Sequence, residues 1–509
     1  MIPRKAMWLL VAAYAGVIAS MRGLPWGDLP NHLTRITIIG DLLFSPAPFF
    51  RQHYSFEWMF SPYLLWDVLA ALTSRVLPVE ANGLLWTLLT FFAVVAGGWY
   101  LARVRLRAAA DRDVLTCFSV LLATNWCFAW GFFAFQLSIA LCLFAVAFGW
   151  RFREAASRSG RWATYLVYAV LVAGCYLAHL GGFLPLCLIL GAAALARVFQ
   201  NWRNLPSEGL LLAPALSLAA WHAYLAWSLH AGLGEVVFRT PFRKFLTLAA
   251  PWLRFPWAWE LPLLLGLGLA ISALFARRIL SGARPALRAL FADDSFLAVV
   301  LLGTMYIALP DAGFNGWGVD MRMLPFLVYF LLLWLLRTGP ASSERRLANR
   351  LPSPGLILFA TCWVTLLIVF VKIRPYDAEA RVYWQALKRI PKHRVVLPVP
   401  TRPYMGRLSP LHHQGVLYAA FREGISPYVF DRAYAAPFFA LKERYSLPNN
   451  LWYVRNLPTP DWDRVRSVCD YLVVSKPFDP KRLPSPPAPV FFENEAAVVF
   501  QLKPASAIE

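Results

Sequence analysis

Charge is scarce in this sequence. Only 15% of its 509 residues are Asp, Glu, Lys or Arg, where a soluble chain carries about 25%. With 59% hydrophobic residues, that shortage excludes an ordinary water-soluble globular protein. Acids are the scarcest: 28 Asp and Glu stand against 49 Lys and Arg, a formal charge of +21. The cations, mostly Arg, are scattered between apolar blocks and form no basic soluble domain, so nucleic acid is not expected as a partner. Cysteine is also sparse. Cys117, Cys127, Cys142, Cys175, Cys187 and Cys362 fall in or beside apolar blocks, and Cys469 alone lies in the hydrophilic tail. With no CxxC pair, the tail has neither an internal disulfide nor a zinc-finger spacing. Internal repeats are absent as well, which argues against a transporter built from two related halves.

What the chain does have is long apolar runs, such as Leu84–Trp99, Ala163–Leu177 and Leu356–Val371. Runs approaching about 20 residues read as membrane spans. The sequence therefore predicts an α-helical polytopic membrane protein. Arg and Lys accumulate in cytoplasmic loops, and their spacing yields about eleven spans. Met7–Met21 is read as an uncleaved first span, since no small-x-small cleavage site follows it. Three further expected spans are Val114–Ala129, Phe296–Leu309 and Met323–Leu336. Residues 1–372 form the membrane region, with a long first outer loop over residues 22–80. That loop carries a helix near Asp28–Phe44 and another near Ser61–Leu77. Asp67, Ser74 and Arg75 make the second a poor span, so it is expected to lie at the interface. Residues 373–509 read as a small α/β domain. Its β-like runs are Arg394–Val399, Tyr471–Val474 and Ala497–Leu502, and its helical stretches are Ala378–Arg389 and Trp462–Val468. An odd number of spans puts this domain outside.

The first loop opens with Pro25-Trp26-Gly27-Asp28-Leu29-Pro30-Asn31-His32-Leu33-Thr34-Arg35. Spacings of four and three residues place Asp28, His32 and Arg35 on one helical face. Asp28 suits a general base that takes a proton from a hydroxyl, or else a helix N-cap ahead of Pro30. His32 suits a partner of Asp28, a phosphate ligand or an acid. Arg35 suits phosphate through its fork of donors, or an ion pair with Asp28, or lipid headgroups. His179 ends a span at its outer mouth, beside Gly181 and Gly182, and is a ligand candidate or a buried interhelical hydrogen bond. Asn125, Trp126 and Gln136 flank another tight outer turn and are weaker sugar-binding candidates. Asp311, Asp320 and Arg322 flank the Gly-rich outer stretch Asp311–Arg322, where Arg322 is a second candidate for phosphate. Arg239, Arg243 and Lys244 sit on the outer side against the charge rule, and either hold an anionic lipid or mark a slip in the topology. His412-His413 lacks an evident third metal ligand and reads as solvated loop.

An acidic residue opening a long first outer loop, followed by Ser61-Pro62-Tyr63-Leu64-Leu65-Trp66 at the start of a second loop helix, resembles the GT-C superfamily of membrane glycosyltransferases. The resemblance covers the whole chain as architecture and about Trp26–Glu80 as motif. It implies a bacterial inner-membrane enzyme with a cytoplasmic N-terminus and a periplasmic C-terminal domain. It also implies inverting transfer of a sugar from a polyprenyl-phosphate donor to a lipid, glycan or protein acceptor. On this reading Asp28 is the base and His32 its partner. Arg35, His179, Arg322, Asp320 and Arg243 bind donor phosphate or sugar. Many members carry two adjacent acids in the first loop. This chain has Gly27-Asp28 instead, which leaves a divalent cation a possibility without a recognisable acidic pair. The competing expectations are a flippase of lipid-linked sugars and a non-catalytic membrane assembly protein.

Overall fold

In the computed structural model the apolar blocks fold as helices. The structure describes residues 2–46, 48–154, 158–228, 236–280, 287–313, 316–337, 353–400, 408–430, 438–442, 445, 447, 462–477 and 488–503. Among these, seven helices are long and apolar enough to cross a membrane: Val79–Arg105, Phe133–Glu154, Gly160–Ala178, Leu180–Gln200, Trp202–Ser228, Ala258–Ile279 and Pro354–Arg389. Leu166, Val170, Leu265, Leu269 and Leu367 point outward from them, a surface matched to lipid rather than water. Phe133–Glu154 is the central helix, packed on Val79–Arg105, Arg158–Ala178 and Leu180–Gln200.

The other four expected spans are helices too, but shorter: Arg4–Ser20, Ala109–Ala123, Asp294–Ala308 and Leu324–Arg337. The expected span Val114–Ala129 is corrected. Its helix stops at Ala123, and Asn125 starts a separate turn by accepting the Phe128 N–H at 3.0 Å. The loop helix expected over Ser61–Leu77 is shortened to Leu64–Thr73. It begins only after Tyr63, whose φ of +75° lies in the left-handed region. The last span does not stop at residue 372. Pro354–Arg389 runs on for 36 residues, with Pro375 inside it.

Beyond that helix a four-stranded sheet forms. We label the strands β1 (Tyr54–Phe56), β2 (Ala312–Gly313), β3 (Gly316–Trp317), β4 (Val396–Val399), β5 (Phe439–Leu441), β6 (Tyr471–Ser475), β7 (Val490–Glu493) and β8 (Ala497–Gln501). The order is β4-β6-β8-β7, with β4 parallel to β6 and the other pairs antiparallel. β6 and the first four residues of β8 are buried, which accounts for their unbroken apolar runs.

The tail and the first loop are interlocked. β1 of the loop pairs antiparallel with β5 of the tail. Thr34 Oγ1 donates to Val416 O at 3.1 Å. Gln414 accepts from Trp384 Nε1 at 2.7 Å and donates to Leu24 O at 3.1 Å. The Gly23 N–H donates to Asp377 on the long last helix. The far end of the bundle is closed by ionic clamps instead. Arg105 and Arg337 converge on Asp294, and Arg153 and Arg197 on Glu208.

Candidate functional site

Backbone packing fixes where Asp28 stands. Its N–H donates to Trp130 O at 2.6 Å, in the tight turn before the central helix. Gly131 makes that turn with φ +81°, and a Cβ there would lie 2.6 Å from Leu29 N. A Cβ on Gly27 would lie 2.8 Å from the Trp130 ring. That contact gives a physical reason for glycine where an adjacent acid was looked for.

Asp28 occupies the N-cap position of the helix Leu29–Phe44, but its side chain makes no capping hydrogen bond. Its Oδ1 instead lies 3.2 Å from His413 Nε2. Burial pushes the Asp28 carboxyl up to about 7, against the pull of His412 and Arg322. His412 and His413 are held down at about 3 by burial, His413 adding to the effect on His412. The expectation of a solvated His pair is therefore corrected: the tail folds both imidazoles against the first loop.

His32 and Arg35 do share the face of Asp28, but they are engaged elsewhere. Arg35 is 1% exposed and donates through Nη2 to Asp67 Oδ1 at 2.8 Å and to His32 Nδ1 at 3.2 Å. Among the described residues no hydrogen bond joins Asp28 to His32; the imidazole that meets Asp28 is that of His413. The His32 ring lies edge-on to Trp66 and Phe430. Burial, then Arg35 and His413, hold it well below the usual histidine range, so it is neutral. Asp67, read from sequence as a defect in a span, is the ion-pair partner of Arg35. Burial raises its carboxyl, and Arg35 opposes that rise.

A second cluster gathers on the same side. His179 is 4% exposed and caps the helix Leu180–Gln200, its Nδ1 accepting the Gly181 N–H at 2.7 Å. A neutral ring so engaged carries its proton on Nε2, which lies 2.9 Å from the Tyr63 hydroxyl. Arg322 Nη1 is 3.4 Å from the same nitrogen. The guanidinium lies over Phe132 and Phe135. Arg322 makes no ion pair among the described residues, and its buried Nε has no hydrogen-bond partner there. The two glycines after His179 serve close packing. A Cβ on Gly181 would meet Arg322 Cδ at 3.0 Å, and one on Gly182 would meet Ser138 Oγ at 2.1 Å. Tyr63 holds a left-handed conformation that costs a non-glycine residue about 1–2 kcal/mol, and its hydroxyl joins this cluster.

The remaining candidates are not brought into the cluster. Asp320 is fully buried and paired with Lys244 at 3.4 Å. Arg239 pairs with Asp311 at 2.8 Å. Arg243 is exposed, and no hydrogen bond or ion pair links it to Asp28, His179 or Arg322 among the described residues. Gln136 Nε2 donates to Asn125 Oδ1 at 2.6 Å, while Asn125 Nδ2 and Gln136 Oε1 are buried with no hydrogen-bond partner among the described residues. No group of three or more His, Cys, Asp or Glu among the described residues is arranged to hold a metal ion.

No family model matches the chain, and no curated protein matches it. Solved structures do. ArnT from Cupriavidus metallidurans bound to undecaprenyl phosphate is 13% identical, with a TM-score of 0.55, over 98% of each chain. The same protein in the apo state is 14% identical, with a TM-score of 0.56, over 97% of each chain. At this identity the likeness is one of fold: the chain shares the fold of ArnT over nearly its whole length.

Proposed function

We propose that this protein is an inverting glycosyltransferase of the bacterial inner membrane. It would take a sugar from a polyprenyl-phosphate donor and pass it to a lipid, glycan or protein acceptor on the periplasmic face. One observation carries this reading: on the loop face of a GT-C-like bundle the half-buried Asp28 carboxyl caps no helix and lies 3.2 Å from His413 Nε2, in surroundings that push it up to about 7. A base is most effective when its pKa lies near the working pH. In the step, the acceptor hydroxyl gives its proton to Asp28 as its oxygen bonds to the anomeric carbon. The bond from that carbon to the phosphate oxygen breaks, and polyprenyl phosphate leaves with the electron pair. Attack opposite the leaving group inverts the anomeric centre.

Arg322 is the group we assign to the donor phosphate. Its fork of donors matches phosphate oxygens, and it is not committed to a carboxylate. The Tyr63 hydroxyl accepts from it, and His179 Nε2 donates to that same hydroxyl. Arg35, neutralised by Asp67, holds the wall beside the base together with His32. Asp320 and Arg243 have no part in this assignment. The bound lipid of the ArnT structure supports a polyprenyl-phosphate donor here.

The test is a deletion strain complemented with wild type or Asp28→Asn, its lipid-linked and surface glycans compared by mass spectrometry. The proposal expects both proteins in the membrane and a sugar-bearing species restored by wild type alone. Restoration by Asp28→Asn would overturn it and move flipping or assembly to the front.

A further inference from the structure

We propose that His413, delivered from the tail, is a positioning residue for Asp28, and that Asn31 selects the His413 tautomer that performs this task. The inference rests on the reading of Asp28 as a base and adds a role for the tail in building the site.

The argument starts from an amide whose orientation is fixed. The Phe430 N–H donates to Asn31 Oδ1 at 2.6 Å. Asn31 Nδ2 therefore faces the other way, donating to Tyr428 O at 2.8 Å and lying 3.4 Å from His413 Nδ1. An amide nitrogen only donates, so His413 Nδ1 accepts and the ring proton sits on Nε2. Nε2 lies 3.2 Å from Asp28 Oδ1. The opposite tautomer would set a lone pair against the carboxylate.

The ring is held in place. His413 is 5% exposed and packs edge-on against Phe430 at 5.0 Å, and Phe430 touches His32 on its other side. Burial keeps His413 neutral, so it is a donor of fixed direction that does not titrate with the base. Asp28 has few other ionisable neighbours. His412 comes from the tail, Arg322 from the short helix Asp320–Met323, and His32 stands one turn along Asp28's own helix. Arg322 and His412 act on the carboxylate through space. His413 meets it directly, its Nε2 3.2 Å from Oδ1.

A donor aimed at the carboxylate favours its charged form. Removing that donor should raise the pH at which Asp28 ionises. The experiment uses the full-length protein in lipid nanodiscs. Dicyclohexylcarbodiimide, which reacts with protonated buried carboxyls, labels Asp28 across a pH series, and peptide mass spectrometry reads the midpoint. His413→Phe keeps a ring and loses the N–H. It should move the midpoint up by about one pH unit, a ten-fold change in the ionisation equilibrium. His413→Gln retains a donor and should stay close to wild type. His413→Leu repeats the contrast if His413→Phe does not fold. An unchanged midpoint in a folded variant without the donor overturns the proposal, and so does a His413→Gln midpoint as far displaced as that of His413→Phe. The measurement needs no sugar transfer. A shifted midpoint in a protein that transfers nothing would sink the glycosyltransferase reading and leave the role of His413 standing.

Discussion

Asp28 is treated differently from the acids at the far end of the bundle, and from the paired acids Asp67, Asp320 and Glu260 nearer to it. At the far end each acid is saturated with guanidinium. Asp294 lies between Arg105 and Arg337, and Glu208 between Arg153 and Arg197. Asp294 Oδ1 accepts from Arg105 Nη2 at 2.7 Å and from Arg337 Nη1 at 2.5 Å. At the loop face Asp28 receives one neutral imidazole directly and an arginine only through space, and its carboxyl rises to about 7. Even there, Asp67 has a guanidinium to itself. An acid surrounded by cations is a clamp that does not change charge near neutral pH. An acid deprived of them is poised to accept a proton, and this contrast separates a working carboxylate from a structural one.

The contrast is broken most severely at Asp28. Asp28→Asn should lower kcat for sugar transfer by about 10²–10⁴-fold, the range for loss of a general base, measured with purified protein and a polyprenyl-phosphate sugar. The wild-type rate should fall as pH drops through about 7, because the base is then protonated. Stability should run the other way. The folded carboxyl binds its proton more tightly than the unfolded one, so stability is lost as pH rises from the ordinary carboxylate range toward 7. Asp28→Asn should therefore melt higher than wild type at pH 8 and close to it at pH 4. A variant that melts lower at pH 8 would show that the carboxylate is stabilising.

Next in size is the buried guanidinium pair Arg35–Asp67. Asp67→Ala leaves Arg35 buried without its partner and should cost about 3–5 kcal/mol of stability, read by thermal unfolding in detergent. Replacing both residues by apolar side chains of similar volume should recover most of that loss. At the far end, Asp294→Asn should cost about 1–3 kcal/mol and leave the pH midpoint of transfer unchanged. A midpoint that moved would mean that the two ends are coupled. An effect of similar size is expected at Gly27. Gly27→Ala forces Trp130 to give way and should cost about 1–3 kcal/mol, while Asp28 continues to titrate near 7.

Much of this was legible because it is local. The helix Trp462–Val468 and the strands β4, β6 and β8 follow from short apolar runs whose partners lie in the same domain. The first-loop helix follows from Asp28, Pro30 and the spacing to His32 and Arg35. The site was half legible. Asp28 stood out because an acid at a membrane surface needs a reason. His413 did not, because Asn31 and His413 are 382 residues apart in sequence and nothing in either stretch announces the other. Asp67 was visible but misjudged: in a sequence a buried ion pair looks like a flaw in an apolar run until its partner is seen. Tyr63 stood in the Ser61–Trp66 stretch that carried the resemblance, but its left-handed backbone and its contact with His179, 116 residues on, were not announced there.

The unbroken last helix has a mechanical consequence. At about 1.5 Å per residue, its 36 residues span about 54 Å, while the hydrocarbon core is about 30 Å thick. It is a mast that stands well clear of the lipid and carries the sheet on its upper length. Asp377, on that upper length, moors the first loop through Gly23. The first loop is thus tied to the same rod that carries the sheet, and the weakest joint of that rod is Pro375, where the ring interrupts the helical hydrogen-bond ladder.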